Sequence, residues 1–217
     1  MQIDSILIDE KEDIQRKKFQ FMVKRVFDII LSLLGLIILS PVFLIIYILI
    51  KTDSKGPAIF KQVRIGKDGR EFVIYKFRTM VMDAEKKKQL DIDPINIENF
   101  IYQSKNDIRI TKMGAFLRKS SLDELPQLAN VFIGNMSLVG PRPEVPDVVK
   151  LYPEKYRQRL FVLPGITGLA QISGRGEIEL GKAVYYDLTY IKEFSIWCDI
   201  KILFGTFISV FKKEGAY

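Results

Sequence analysis

Residues 26–50 read VFDIILSLLGLIILSPVFLIIYILI, and they determine how the chain lies relative to a membrane. This stretch is nearly uncharged and long enough to cross a hydrocarbon core of about 30 Å. Ser40 and Pro41 interrupt it, and Pro41 has no N–H to give to the carbonyl of Ile37. The Ser40 hydroxyl can hydrogen-bond back to the preceding turn and compensate part of that loss. The pattern therefore predicts a helix with a kink near its middle.

Basic residues flank the apolar stretch on both sides. Lys24 and Arg25 stand at its start, and Lys51 and Lys55 follow it. Short segments rich in Lys and Arg stay on the cytoplasmic side of a membrane, which favours a re-entrant helix that enters and leaves by one leaflet. A bitopic helix that tolerates a proline is the alternative, and these residues alone leave both open. A cleaved signal peptide is disfavoured because the apolar run begins late and is too long.

Composition limits the possible chemistry. The chain of 217 residues has 33 basic and 26 acidic residues and a formal net charge of +7, which suits anionic lipids, phosphates or nucleic acid. It contains no histidine and one cysteine, which excludes Ser-His-Asp and Cys-His catalysis, the usual zinc sites and an internal disulfide. Any catalysis must therefore use carboxylates, lysines, arginines or a hard metal bound by oxygen.

Beyond the apolar stretch, the sequence predicts an α+β protein that is mostly helical with a small β-hairpin. Residues 58–65 and 71–77 are rich in β-forming residues, and Gly66-Lys67-Asp68-Gly69 joins them as a turn. Helical periodicity follows at 111–134, and residues 145–163 give two short helices separated by Pro153. Residues 163–176 are glycine-rich and predict a loop.

The C-terminal residues 178–213 predict two helices, of which the last has one apolar face. That face consists of Ile200, Leu203, Phe204, Phe207, Ile208 and Phe211. With lysines elsewhere on the helix, the pattern is typical of an interfacial helix. Packing into a protein core explains the same stripe, and both explanations stay open here.

Two adjacent acids, Asp123 and Glu124, follow a basic pair in the segment RKSSLDELPQ. One explanation is structural, because Ser121 and Glu124 have the spacing of a capping box at a helix start. The other is catalytic, because adjacent residues on a helix point about 100° apart, so one carboxylate can react while the other holds a metal. The segment alone does not decide between them.

Arg142 lies between Pro141 and Pro143 in the segment GPRPE. Two prolines fix the backbone on either side, and a guanidinium presented in this way suits bidentate binding of a phosphate or carboxylate. As an isolated motif it is more often a rigid turn. Further candidate cations, each weak alone, are Lys76 and Arg78 at the end of the hairpin and Arg175 in a Gly-Arg-Gly segment.

Taken together, these segments resemble the bacterial sugar transferases, the monotopic phosphoglycosyl (polyprenyl-phosphate sugar-1-phosphate) transferases. In chain order, the resemblance is carried by KRVFD, the Ser-Pro break, FKQVRIGKDGREFVIYKFRTM, LRKSSLDELPQLANVFIGNMSLVGPRPE, LPGITGLAQISGRG and YYDLTYIKEFSIWCDIKIL. It runs from about residue 22 to 215 and corresponds to the compact form of the family, without a large multi-span N-terminal domain.

The resemblance implies that a nucleoside diphosphate sugar, expected to be a UDP-sugar, gives its sugar-1-phosphate to a polyprenyl (undecaprenyl) phosphate and releases UMP. It implies Asp123 as the nucleophile that forms an aspartyl phosphosugar intermediate, Glu124 as its partner acid, and Ser40 and Pro41 as the membrane break. Covalent catalysis by a carboxylate needs no histidine. With the cations above, the expected substrate-binding and phosphate-binding residues are Lys76, Arg78, Arg118, Pro141, Arg142, Pro143 and Arg175.

These expectations define the cofactor, the partners and the location. Because the expected substrate carries phosphates and two acids are available beside it, we expect Mg²⁺ as the cofactor, held by Asp123 and Glu124. We expect a frayed or surface-lying lead-in at 1–21, a re-entrant membrane helix at 22–51 and a cytoplasmic catalytic domain at 52–217, on the cytoplasmic face of the bacterial inner membrane. The expected partners are the UDP-sugar, polyprenyl phosphate, the inner leaflet and a second copy of the chain. Residues 86–105 and 173–185 are the expected sugar-specificity segments.

Two other functions fit parts of the sequence. A non-catalytic, membrane-tethered scaffold that binds anionic lipid or a partner protein explains the charge and the apolar stretch, but not the acid pair or the arginine between prolines. A tethered nucleic-acid binder lacks a recognisable recognition motif, so no nucleic acid is expected as a partner. Release of nucleoside monophosphate separates the enzyme from both.

Overall fold

A computed structural model gives the structure of the chain and describes residues 3–82, 84, 96–101, 107–174 and 178–212. The helices are α1 Lys18–Ile38, α2 Ser40–Asp53, α3 Lys112–Lys119, α4 Gln127–Ile133, α5 Pro146–Lys150, α6 Glu154–Arg157, α7 Leu169–Gly174, α8 Leu180–Lys192 and α9 Ile196–Lys212. The strands are β1 Ile59–Ile65, β2 Glu71–Phe77, β3 Ser137–Val139 and β4 Gly165–Thr167. The described part is mostly helical with small two-stranded sheets, in agreement with the predicted α+β class.

The apolar stretch forms α1 and α2, which meet at Leu39 with a bend of 60°. Ser40 Oγ donates to the carbonyl of Ile37 at 2.8 Å, as the sequence predicted. Pro41 lies in the first turn of α2, where its missing N–H breaks no helical bond. Within the described residues, no single helix is long and apolar enough to span a membrane, whereas the bent pair meets both conditions. The kink is therefore confirmed.

The outward surface of α1 and α2 is apolar, and the inward side of α1 is polar. The buried residues of α1 are Lys24, Asp28 and Ser32, spaced four apart along one stripe. Lys24 pairs with Asp199 of α9, and Asp28 Oδ1 accepts the N–H of Leu138 at 3.0 Å. The exposed apolar residues of the pair are Phe19, Met22, Val26, Phe27, Ile30, Leu31, Leu33, Leu34, Ile37, Ile38, Leu44, Ile45, Tyr47, Ile48 and Leu49. A helix in a water-soluble protein has the opposite arrangement.

The predicted hairpin is confirmed. Strands β1 and β2 are antiparallel, with Ile59 opposite Phe77 and Ile65 opposite Glu71. Asp68 and Gly69 of the connecting turn have φ values of 57° and 75°, a left-handed conformation that Asp tolerates and Gly adopts freely.

A second sheet, formed by the parallel strands β3 and β4, was not predicted. Ser137 lies opposite Gly165, and Val139 lies opposite Thr167. Gly165 permits the close approach, since a Cβ there would lie 2.1 Å from the backbone nitrogen of Gly140. The predicted loop at 163–176 is wrong in part, because β4 and α7 form within it. Three-residue strands carry too little periodicity to be recognised, and the parallel partner lies far along the chain.

The main core surrounds α8, where Val184, Leu188 and Ile191 are completely buried. The N-terminal lead-in belongs to this core, because Ile3 and Ile8 are buried within it. Its polar composition suggested a frayed or surface-lying segment, and these two isoleucines show that it is packed. The helical pattern predicted at 111–134 divides into α3 and α4, with a 3₁₀ turn at 122–124 between them. As predicted, α5 and α6 flank Pro153, and α8 and α9 form the C-terminal pair.

Candidate active site

Three segments that are distant in sequence converge at Glu124. Lys76, near the end of β2, places its Nζ 2.7 Å from Glu124 Oε1. Arg142, from the loop after β3, donates from Nη1 to the same oxygen at 3.2 Å. The carboxylate thus accepts two charge-assisted hydrogen bonds in a partly buried position, where such bonds are stronger than in water. The structure therefore joins three of the predicted site residues and brings Asp123 beside them.

The acid pair lies on a 3₁₀ turn, Leu122–Glu124, and not at the start of an α-helix. Ser121 precedes the turn in a left-handed conformation with φ of 55°, and its side chain makes no capping hydrogen bond. The capping-box explanation is therefore wrong, because the Glu124 side chain that would close the box is drawn to Lys76 and Arg142 instead. A serine at positive φ is uncommon, and such conformations concentrate at functional sites.

The two carboxyls have opposite electrostatic environments. Burial pushes the pKa of Glu124 upward, but the charges and hydrogen bonds of Lys76 and Arg142 outweigh it and hold this pKa at about 2. Burial and the negative charge of Glu124 together raise the pKa of Asp123 to about 6, against the weaker opposing charges of Lys76, Arg118 and Arg142. Pairs of acids whose pKa values are pushed apart are typical of catalytic sites.

The Asp123 carboxylate makes no hydrogen bond or ion pair within the described part of the chain, whereas Glu124 is engaged by two cations. Arg118, the last arginine of α3, donates from Nε to Thr79 Oγ1 at 2.9 Å and is half-buried. It lies close enough to Asp123 for the two charges to influence each other. Asp123 is therefore the carboxylate that is available to react, and three cations lie around it.

Asn130 of α4 explains why Lys76 meets Glu124. Its side-chain Oδ1 accepts the N–H of Tyr75 at 3.0 Å, and its Nδ2 donates to the carbonyl of Val73 at 2.7 Å. The amide thus continues the hydrogen-bonding pattern of β2 and fixes α4 against the strand. Sequence reasoning missed this completely buried residue, because an asparagine in a helix carries no signal of a strand partner.

Arg78 does not join this group. Its guanidinium donates to the carbonyls of Lys55 and Ser54 at 2.6 and 2.7 Å, and so ties the end of β2 to the end of α2. Gly56, with φ of 119°, allows the chain to pass close to the guanidinium, since a Cβ there would lie 2.2 Å from Arg78 Nη1. Pro141 and Pro143 are buried on either side of Arg142, and their expected part in substrate binding stays a prediction. Arg175 and most of the expected specificity segment 86–105 lie outside the described residues.

Asp123 and Glu124 fit Mg²⁺ as part of its set of ligands. Among the residues that the structure describes, no group of three or more acidic or cysteine side chains could enclose a metal ion. Mg²⁺, however, is commonly bound by one or two carboxylates together with substrate phosphates and water. Asp123 and Glu124 supply such a partial set of oxygen ligands.

Comparison with known proteins identifies relatives of the whole chain. The profile of the family described as "Bacterial sugar transferase" matches residues 19–213. "Undecaprenyl-phosphate galactose phosphotransferase" of Salmonella typhimurium is 43% identical over 216 residues, which are 98% of this chain and 45% of that protein. "UDP-glucose:undecaprenyl-phosphate glucose-1-phosphate transferase" of Klebsiella pneumoniae is 48% identical, over 89% of this chain and 41% of that protein.

A third relative is similar in length. "Exopolysaccharide production protein ExoY" of Rhizobium meliloti is 40% identical over 90% of this chain and 88% of that protein. The chain thus spans less than half of the first two relatives and most of the third.

Proposed function

The chain belongs to the bacterial sugar transferase family, and from this premise we propose that it transfers a sugar-1-phosphate from a UDP-sugar to undecaprenyl phosphate. UMP is the second product, and Asp123 is the nucleophile. The observation that supports the proposal most strongly is the difference between the two acids. Glu124 forms ion pairs with Lys76 and Arg142, whereas Asp123 beside it forms no hydrogen bond or ion pair within the described residues. The names of the three relatives support the donor, the acceptor and a role in surface glycan synthesis.

The chemistry proceeds in two displacements at one phosphorus atom. An oxygen of the Asp123 carboxylate attacks the phosphorus that bears the sugar, and the bond from that phosphorus to the bridging oxygen breaks, so UMP leaves with the electron pair. A phosphate oxygen of undecaprenyl phosphate then attacks the same phosphorus and displaces the Asp123 carboxylate. The product is undecaprenyl diphosphate sugar. No proton has to move, provided that Asp123 is ionised at the start.

The cations of the site have distinct roles in this scheme. Arg142 and Lys76 fix Glu124, and their positive charges would stabilise phosphate oxygens that gain charge during the reaction. Arg118 lies on the Asp123 side and lowers the free energy of its ionised form. Mg²⁺ held by the acid pair and the diphosphate would neutralise charge on the phosphate oxygens. Each role depends on electrostatic stabilisation, which is strongest in a site that excludes water.

We also propose that α1 and α2 form a re-entrant helix in the cytoplasmic leaflet of the bacterial inner membrane. The support is the buried polar stripe of α1, the apolar outward surface of both helices and the 60° bend between them. Exposed apolar surface of this size is unfavourable in water and favourable in lipid. Helix α9 also exposes apolar side chains, those of Trp197, Ile200, Leu203, Phe204, Phe207 and Ile208. That exposure favours the interfacial explanation of α9 over core packing.

The location and the chemistry support each other. The phosphate of a polyprenyl acceptor stays at the membrane interface, so an enzyme that uses it must place its nucleophile there. Arg78 links the end of α2 to the end of β2, two residues after Lys76, and so connects the membrane helix directly to the site. Pairing of two copies of the chain stays a prediction.

The test is release of UMP by the purified, full-length protein in nanodiscs that contain undecaprenyl phosphate, with a panel of UDP-sugars. One UDP-sugar should give UMP in amounts that match the lipid-linked product. Binding of lipid with no release of UMP from any member of the panel would instead identify a scaffold.

A further inference from the structure

Four successive carbonyl groups, those of residues 141–144, each accept a hydrogen bond. The donors are the backbone N–H of Gly165 to Pro141 O at 2.9 Å, Arg159 Nη2 to Arg142 O at 3.1 Å, Arg64 Nη1 to Pro143 O at 3.1 Å, and the backbone N–H of Ile65 to Glu144 O at 2.8 Å. Pro141 and Pro143 cannot donate a backbone hydrogen bond. The four carbonyl acceptors therefore provide much of the hydrogen bonding that holds residues 141–144 against the rest of the protein. Two of the four donors are arginine side chains.

Arg159 is held in a buried cluster. It is 2% exposed and lies between the carboxylates of Glu144 and Asp187, and its Nη1 also donates to the Tyr152 hydroxyl at 2.6 Å. Buried ion clusters of this kind are poor sources of stability, because desolvation offsets the attraction between the charges. Such clusters can instead favour one conformation of the chain over others. Here Arg159 holds the backbone carbonyl of Arg142 in place.

The fixed backbone matters because the Arg142 side chain is long. Its side chain is 42% exposed and meets the protein at Glu124 through Nη1. A guanidinium at the end of a flexible stem finds its place only if its Cα is fixed, and a displacement of ~1 Å at a catalytic group can reduce turnover about 100-fold. Arg64 reaches the same loop from β1, where its Nη2 is oriented by Gln62 Oε1 at 2.6 Å.

We propose that Arg64 and Arg159 are positioning residues of the transferase site, which act by holding the carbonyls of Pro143 and Arg142 and thereby aim the Arg142 guanidinium. This inference rests on the proposed function. Neither arginine needs to touch a substrate, and both act from the protein side of the loop.

Arg64 gives the cleaner test, because it is only half-buried and lies on a hairpin strand. Arg64→Met should lower kcat/KM for UMP release about 10-fold to 100-fold with little change in melting temperature. Arg64→Lys keeps a donor for Pro143 O and should recover most of the loss. Arg70→Met, in the exposed turn of the same hairpin, is the matched control and should retain wild-type turnover.

Arg159→Met gives the second test, with Arg157→Met on the exposed side of the same segment as its control. If the arginines act through Arg142, then Arg64→Met and Arg159→Met should change turnover less than 2-fold in an Arg142→Ala background. Full turnover in Arg64→Met would overturn the inference, as would an equal loss with and without the Arg142 side chain. If Arg159→Met fails to fold, the Arg64 series decides.

Failure of this inference can be told from failure of the proposed function. Wild-type protein that releases no UMP from any UDP-sugar contradicts the function itself. Active wild-type protein with unaffected Arg64 variants contradicts only the positioning role.

Discussion

The ammonium of Lys76 lies 2.7 Å from Oε1 of Glu124, and this contact gives the two adjacent acids different electrostatic environments. Glu124 is kept ionised and stationary by Lys76 and by Arg142. Asp123, one residue earlier, shares the burial but not the partners, so its negative charge is unfavourable. The two acids therefore differ in their surroundings, because residues from β2 and from the loop after β3 contact Glu124.

Removing Lys76 tests this asymmetry. In Lys76→Met, Glu124 loses its shorter charged contact, its pKa should rise, and Arg142 should be less well aimed. We expect kcat for UMP release to fall by about 10²-fold or more, since electrostatic preorganisation of a charged site is lost. Lys61→Met, on the exposed face of the neighbouring strand, is the control and should keep its turnover. Unchanged kcat in Lys76→Met would contradict the role of this contact.

The pH dependence of the reaction should report the ionisation of Asp123. Because its pKa is raised to about 6, the fraction of ionised nucleophile increases as pH rises through that value. The kcat/KM of the free enzyme should therefore rise with pH up to about 7 and then level off. In Glu124→Gln the negative neighbour is removed, so the residual activity should have its inflection at lower pH. A profile that falls between pH 5 and 7 would contradict this assignment.

The proposal that α1 and α2 form a re-entrant helix predicts that both ends of the pair lie on the cytoplasmic side. Single cysteines at Gln20 and Ser54, placed in a Cys198→Ser background, should both resist an impermeant thiol reagent in intact cells and react after lysis. Replacing Ser40 and Pro41 together by leucine and alanine should straighten the helix and expose the Gln20 cysteine to the outside. Labelling of Gln20 but not Ser54 in the parent protein would contradict the model of one leaflet.

Metal dependence follows from the oxygen ligands of the acid pair and from the phosphate substrate. Exhaustive chelation should abolish release of UMP, and Mg²⁺ or Mn²⁺ should restore it, because hard cations of this size suit carboxylate and phosphate oxygens. Full turnover in the presence of excess chelator would rule out the metal.

The sequence predicted those parts of the fold that depend on local chemistry. The Ser40–Pro41 break, the hairpin turn at Asp68 and Gly69, and the C-terminal helices all follow from residues within a few positions. Arg142 between two prolines, and the adjacent acids, were recognised as candidates for the same reason. Their meeting at one carboxylate oxygen depends on contacts between segments that lie far apart along the chain, which no local pattern encodes.

Local rules also failed where tertiary contacts competed with them. The spacing of Ser121 and Glu124 fits a capping box, but two cations offer Glu124 a stronger partner than a backbone N–H, and the turn becomes 3₁₀. Likewise, the apolar composition of this stretch gives no indication that the buried residues of α1 are polar, namely Lys24, Asp28 and Ser32. Polar residues spaced four apart along α1 are the signal that could have indicated an apolar outward surface.

Asp123→Asn tests the proposed covalent step with little change in side-chain size. The amide cannot form the acyl phosphate, so turnover should fall by several orders of magnitude while the melting temperature at pH 7 stays the same or rises, because an unfavourable buried charge is removed. Ser120→Ala, three residues earlier and outside the acid pair, is a matched control for folding and turnover.

The most direct measurement is the intact mass of the protein after incubation with its UDP-sugar and Mg²⁺, without lipid acceptor and with rapid quenching. We expect an added mass equal to one sugar phosphate, located on Asp123 by peptide mapping, absent from Asp123→Asn and lost on addition of undecaprenyl phosphate. An unchanged mass in active wild-type protein, or an adduct that persists in Asp123→Asn, would contradict this expectation.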